Sequence, residues 1–134
     1  MFEKDKIYRR RDLHDLYGGQ EQGGISTPQK HPFIMLFTGE GGEQYGYADR
    51  PTKDGGFLYV GEGRRGDMTF KRGNRAIRDH VSNGKDLHLF EYVEKGQVRY
   101  RGSMVYMGHR LESGRDQEGR RRQTIVFELS PRRT

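Results

Sequence analysis

Tyr47-Ala48-Asp49-Arg50, then Gly55-Gly56-Phe57-Leu58-Tyr59-Val60-Gly61-Glu62-Gly63, then Lys71-Arg72-Gly73-Asn74-Arg75-Ala76-Ile77 fall within one stretch of the 134-residue chain. Phe57 to Val60 is a short apolar run between glycines, the pattern of a strand stopped by turns at both ends. Asn74 offers a side-chain acceptor ahead of Ala76 and Ile77. That predicts a helix capped at Asn74 and ending near Asn83-Gly84, with Ala76, Ile77, His80 and Val81 on its inner face.

Working outward, residues 10–17 place Leu13, Leu16 and Tyr17 on a helix face, and Gly18 supplies the stop. A glycine-rich loop, residues 18–27, follows. Phe33-Ile34-Met35-Leu36-Phe37-Thr38 suits a strand buried on both faces. Further strands are expected at residues 44–48, 86–93, 97–107 and 123–129, with Glu94-Lys95-Gly96 as a hairpin turn and Ile125, Phe127 and Leu129 pointing inward. Residues 112–122 are too polar for a core. About six strands and two short helices imply an α+β domain built on a small, strongly curved sheet or barrel. There is no internal repeat or linker, so residues 1–134 read as a single domain.

Hydrophobic residues make up 31% of the chain and charged residues 33%. Seven Phe and eight Tyr, set in ordered apolar runs, argue against disorder all the same. Lys and Arg exceed Asp and Glu by 25 to 19, a net charge of +6, with arginines clustered at 9–11, 64–65, 120–122 and 132–133. A basic domain of this kind meets an anionic polymer or keeps a solvated basic surface. The absence of cysteine excludes disulfides and thiolate metal sites. No apolar run approaches the ~20 residues of a membrane span. The charged N-terminus is no signal peptide, so a cytoplasmic protein without membrane contact is expected.

Gly61-Glu62-Gly63-Arg64-Arg65-Gly66 matches the dinucleotide fingerprint literally, but no helix opens after the last glycine and no βαβ alternation surrounds it. The five histidines (14, 31, 80, 88 and 109) have no ligand spacing, and His14 and His80 read as packed or capping residues on helices. No cofactor, metal or catalytic set is expected; the chain reads as a binding domain, not an enzyme. Tyr47 and Tyr59 flank a loop carrying Asp49 and Asp54. Two such rings can sandwich a base turned out of a duplex, and a carboxylate beside them can accept from an exocyclic amine. The alternative is that both rings are ordinary core with hydroxyls at the rim.

The ordered set Gly46-Tyr47-x-Asp49, Gly56-Phe57-x-Tyr59-x-Gly61-x-Gly63, Asp67 and Arg72-Gly73-Asn74-x-Ala76-Ile77 resembles the SET- and RING-associated (SRA) domain. Gly84-Lys85, Tyr100-x-Gly102 and Phe127-x-Leu129 continue the likeness. The whole chain, including Leu16-Tyr17-Gly18-Gly19 and Gly23-Gly24-Ile25-Ser26, is similar to the version within bacterial modified-cytosine-dependent restriction endonucleases of the HNH type. The resemblance implies a PUA-like β-barrel that flips 5-methylcytosine or 5-hydroxymethylcytosine out of double-stranded DNA. Tyr47 and Tyr59 would then stack on the base, Asp49 would read its Watson–Crick edge, and Gly46, Val60 and Gly61 would complete the pocket.

Arg64, Arg65, Lys71, Arg72, Asn74 and Arg75 would hold the DNA backbone, the Arg72-Gly73-Asn74 turn taking phosphate at a helix N-terminus. Flipping costs about a few kcal/mol, so probes must fill the gap. Gln20, Gln22, Arg115, Arg120, Arg121 and Arg122 are the expected groove probes, with a solvated hairpin tip as the alternative for the arginines. Arg50 stands where many relatives have a second acid, and Val60 where many have threonine. Cleavage would require a fused or associated nuclease domain. Two other classes remain as alternatives: a PUA-like RNA-binding module, and a small Mg²⁺ nuclease using scattered acids and histidines.

Overall fold

The apolar run 33–38 has no polar side, so its alternating side chains must be covered from both directions. The computed structural model, which describes residues 1–39 and 49–133, satisfies this demand with two helices and one sheet. In chain order the elements are β1 (Ile7–Arg9), α1 (Arg10–Tyr17), β2 (Ile25–Ser26), β3 (Phe33–Thr38), β4 (Arg50–Pro51), β5 (Phe57–Val60), α2 (Arg72–Arg78), β6 (Asp86–Glu94), β7 (Gln97–Arg115) and β8 (Arg121–Pro131). The sheet order is β2-β3-β6-β7-β8-β5-β4, with β1 also pairing β7. Only β3 and β6 pair in parallel among the described strands. The architecture is the α+β, strand-dominated fold expected, with one mixed sheet of eight strands and two short helices among the described residues.

All of β3 is buried, and its residues divide between two cores. Ile34 and Leu36 join Ile25, Tyr59, Ile77, Leu87, Leu89, Ile125, Phe127 and Leu129 on the face carrying α2. Phe33, Met35 and Phe37 join Leu13, Phe90, Val98 and Tyr100 on the face carrying α1. Phe2 closes this second core, its ring within 6 Å of Tyr8, Tyr17, Phe33, His88, Phe90 and Tyr100.

Four expectations need correction. Leu16 is 70% exposed, because Arg10, Leu13, His14 and Tyr17 form the covered face of α1 and Leu16 points more than 100° away from it. Helix α2 begins at Arg72 behind Lys71, so Asn74 lies inside it rather than at its cap. It ends at Arg78, and Val81 in the following turn is 68% exposed. His80 is buried there instead, its Nδ1–H donating to the Lys85 carbonyl and its Nε2 accepting from the Tyr106 N–H. Finally, residues 112–122 are mostly strand: β7 and β8 stay in register out to Arg115↔Arg121, making a ribbon that outruns both β6 and β5. The strand expected at residues 44–48, with Gly46 and Tyr47, lies outside the described residues.

Candidate functional site

The C-terminal ends of β3 and β5 meet beside the glycine-rich loop, and Asp49 sits between them. One Asp49 oxygen accepts from the Thr38 hydroxyl at 2.5 Å and the other from the Val60 N–H at 2.7 Å. Burial raises the Asp49 carboxyl above its ordinary value, against the lowering effect of those two donors and the Arg50 charge. Each oxygen retains a lone pair, so the group can still accept from a ligand.

Tyr59 lies next to it but not as expected. Its ring is 2% exposed and packs in the core, and its hydroxyl is shared between the Gly24 carbonyl at 2.7 Å and the Phe37 carbonyl at 3.0 Å. In this arrangement the ring has no open face for stacking; it forms the floor beneath Asp49. Burial, then the nearby Asp49 and Glu62 carboxylates, push the phenol well above its ordinary pKa. Gly24 makes the approach possible, since a Cβ there would stand 2.5 Å from the Tyr59 hydroxyl.

Arg10, unforeseen because it sits in a run of surface arginines, buttresses the same corner. Its guanidinium lies 3.8 Å from the Phe37 ring centroid and donates to His14 Nε2, the Tyr92 hydroxyl and the Gln20 carbonyl. That fixes the start of the glycine-rich loop. The Gln20 side chain is turned back on Thr27, whose N–H it accepts at 2.6 Å, while Gln22 is exposed.

Beyond Val60 the chain is fastened along the outer edge of β8. The Gly61 N–H donates to the Ile125 carbonyl, and the Met68 N–H to that of Gln123. The missing Cβ of Gly61 leaves room for Asn74 Oδ1, which would otherwise stand 2.7 Å away. Asn74, expected to hold phosphate, is turned inward. It is buried, accepts the Glu62 N–H, and donates to the Glu62 and Thr69 carbonyls. Glu62 closes the lock by accepting the Gly73 N–H at 3.0 Å, and burial raises its carboxyl. An amide whose two N–H donors are both engaged has none left for a phosphate oxygen.

Arg122, expected as a groove probe, is turned inward. It is 5% exposed, and one guanidinium nitrogen donates to the Gly63 and Gly66 carbonyls. Gly66, at φ +67°, turns that carbonyl inward. By contrast Arg64, Arg65, Lys71, Arg72, Arg75, Arg115, Arg120 and Arg121 are exposed. None of them lies within 4.0 Å of a carboxylate among the described residues, whereas Arg9, Arg50, Arg78, Arg101, Arg110 and Arg132 each do. Unneutralised positive charge therefore collects along residues 64–75 and at the β7–β8 tip. No group of three His, Asp or Glu able to hold a metal occurs among the described residues, and no helix among them is long and apolar enough to cross a membrane.

Comparison with solved structures places this arrangement. The sulfur-binding and SRA domains of ScoMcrA, complexed with phosphorothioated DNA, superpose with a TM-score of 0.78 at 25% identity, over 100% of this chain and 41% of that one. ScoMcrA itself, a Type IV phosphorothioation-dependent restriction endonuclease, gives 0.79 at 24% identity, over 100% and 27%. The SUVH5 SRA domain in complex with hemi-methylated CG DNA shares the fold at 0.69 and 19% identity, over 98% and 88%. The chain thus spans less than half the length of the ScoMcrA chains it matches. No curated protein matches the sequence. The family model described as "ScoMcrA-like, SRA domain" matches residues 4–134, and the chain belongs to that family.

Proposed function

We propose that residues 1–134 form a non-catalytic reader domain that recognises a modified cytosine, flipped out of duplex DNA, at the corner formed by Thr38, Asp49 and Val60. The observation that carries this reading is Asp49. A partly buried carboxylate, aimed by a hydroxyl and a backbone N–H and lying between two strand ends, is suited to accept from the N4 amine of a cytosine. Tyr47 is the remaining stacking ring in this reading, with Gly46 beside it, and Tyr59 supports the floor. The exposed Arg64, Arg65, Lys71, Arg72, Arg75, Arg115, Arg120 and Arg121 hold the phosphates, and the exposed Gln22 enters the groove, joined by Gln20 when its bonds to Thr27 open. Cleavage belongs to a nuclease domain elsewhere in a larger bacterial restriction enzyme.

A titration at ~150 mM salt tests this. Matched duplexes would carry cytosine, 5-methylcytosine, 5-hydroxymethylcytosine or a single phosphorothioate, with a structured RNA as control. The expected result is a preference of about tenfold or more for a duplex with modified cytosine. Preference for the phosphorothioate alone would move recognition from the base to the backbone, and equal binding to all duplexes would sink the reader assignment.

A further inference from the structure

Residues 61–68 and the β7–β8 tip are far apart in sequence, and each carries arginines: Arg64 and Arg65 on one, Arg115, Arg120 and Arg121 on the other. They meet through two residues of opposite charge, Asp116 and Arg122. One Asp116 oxygen accepts from the Glu118 and Arg120 N–H groups at 2.9 Å, closing the hairpin tip on itself. The other accepts from the Gly66 N–H at 3.0 Å, across to the opposite loop. Arg122 returns the tie by donating to the Gly63 and Gly66 carbonyls. The Gln117 N–H adds a bond to the Arg64 carbonyl, and the Gln123 N–H one to Asp67.

Both tying side chains are buried, at 5% exposure each, at a tip otherwise made of exposed residues. The Gly66 N–H foremost, with the other donors and the Arg122 charge, holds the Asp116 carboxyl below its ordinary range. Arg122 Nε has no hydrogen-bond partner among the described residues. A surface loop needs no buried ion to stay closed, and an orphaned donor costs stability, so the arrangement points to a role beyond closing the loop.

We propose that Asp116 and Arg122 are positioning residues that clasp the two arginine-bearing loops into one rigid surface for the phosphates of duplex DNA. The proposal rests on the DNA-reader assignment above. Held in this way, Arg64, Arg65, Arg115, Arg120 and Arg121 meet the backbone together, without the entropy cost of ordering two separate loops at each encounter. The base corner at Asp49 is built from other elements, so the clasp governs affinity and leaves base discrimination alone.

Asp116→Asn separates these roles. The amide oxygen can still accept from Glu118 and Arg120, but its NH₂ then faces the Gly66 N–H and cuts the tie between loops. Binding of modified and unmodified duplexes would be titrated from 50 to 300 mM salt for the wild type, Asp116→Asn and Arg122→Met, with amide exchange of Gly66, Glu118 and Arg120 followed in parallel. The expected result is a loss on the order of tenfold on both duplexes, a log–log salt slope shallower by about one or two, and an unchanged preference ratio. Gly66 exchange should accelerate while Glu118 and Arg120 stay protected. As a second measurement on side chains outside the clasp, Arg64→Ala and Arg120→Ala should show coupled losses in the wild type and additive ones in Asp116→Asn. Unchanged affinity and slope in both clasp variants, with the wild type still preferring modified DNA, would overturn the positioning role alone. Failure of the wild type to bind any duplex would overturn the reader assignment and the clasp with it.

Discussion

At the scale of single residues, Asp49 does two things of opposite sign. Burial raises its pKa in the folded chain, so the native state takes up a proton more readily than the unfolded one. Lowering the pH through that raised value therefore adds stability, while it removes the acceptor a cytosine amine requires. Preference for modified DNA should fall as the pH drops from neutral through that raised value, with no drop in melting temperature from this group, and Asp49→Asn should lose discrimination by about tenfold at every pH. Competition titrations across that range would check it; a flat preference with pH would remove Asp49 from the site. Gly24 offers a stability test beside it. Gly24→Ala forces a Cβ against the Tyr59 hydroxyl and to within 3.2 Å of the Phe37 carbonyl, which cannot move aside. A loss of about 1–3 kcal/mol in urea unfolding is expected.

Among elements, the β7–β8 ribbon carries the clearest expectation. Arg120→Ala with Arg121→Ala should weaken modified and unmodified duplexes alike and reduce the salt slope by about two, one per phosphate contact, measurable by titration at four salt concentrations. Much of this framework was legible in the sequence. The run 33–38 announced a strand covered on both sides, and Glu94-Lys95-Gly96 announced the hairpin, because period and turn chemistry are local properties. Asp49 was legible as an acid on the loop before β5, but its bond to Thr38 of β3 was not. What escaped notice was set by long-range partners. Asn74 looks like a cap until Glu62 and Thr69 are folded against it, and Arg122 looks like a groove probe until Gly63 and Gly66 turn their carbonyls toward it. Tyr59 was weighed as stacking ring or core, and only the carbonyls of Gly24 and Phe37, from other elements, place it in the core.

Over the whole molecule, the aromatic core around Phe2 holds a titratable group. Burial lowers the His88 pKa to about 4, and its Nδ1 lies 2.8 Å from the Tyr100 hydroxyl. An unfolded histidine titrates near 6.5, so the unfolded chain binds the proton first as the pH falls. The stability tied to neutral His88 is complete above about pH 6.5 and is lost progressively toward about pH 4. Thermal melts from pH 7.5 to 4.5 should show that decline, and His88→Gln should flatten it; an unaltered slope would assign the acid sensitivity elsewhere. The parallel pairing of β3 with β6 bears on how the chain reaches this state. Residues 39–85 must be looped out before Thr38 can align with Glu91, and that excursion contains Asp49, β5 and α2. β1, near the N-terminus, waits in turn for β7. Such distant pairings place folding on the millisecond-to-second side of the range for small domains. On a ribosome, β3 and β5 emerge before β6 and β8, so the corner at Thr38, Asp49 and Val60 is assembled only after those later strands have been made.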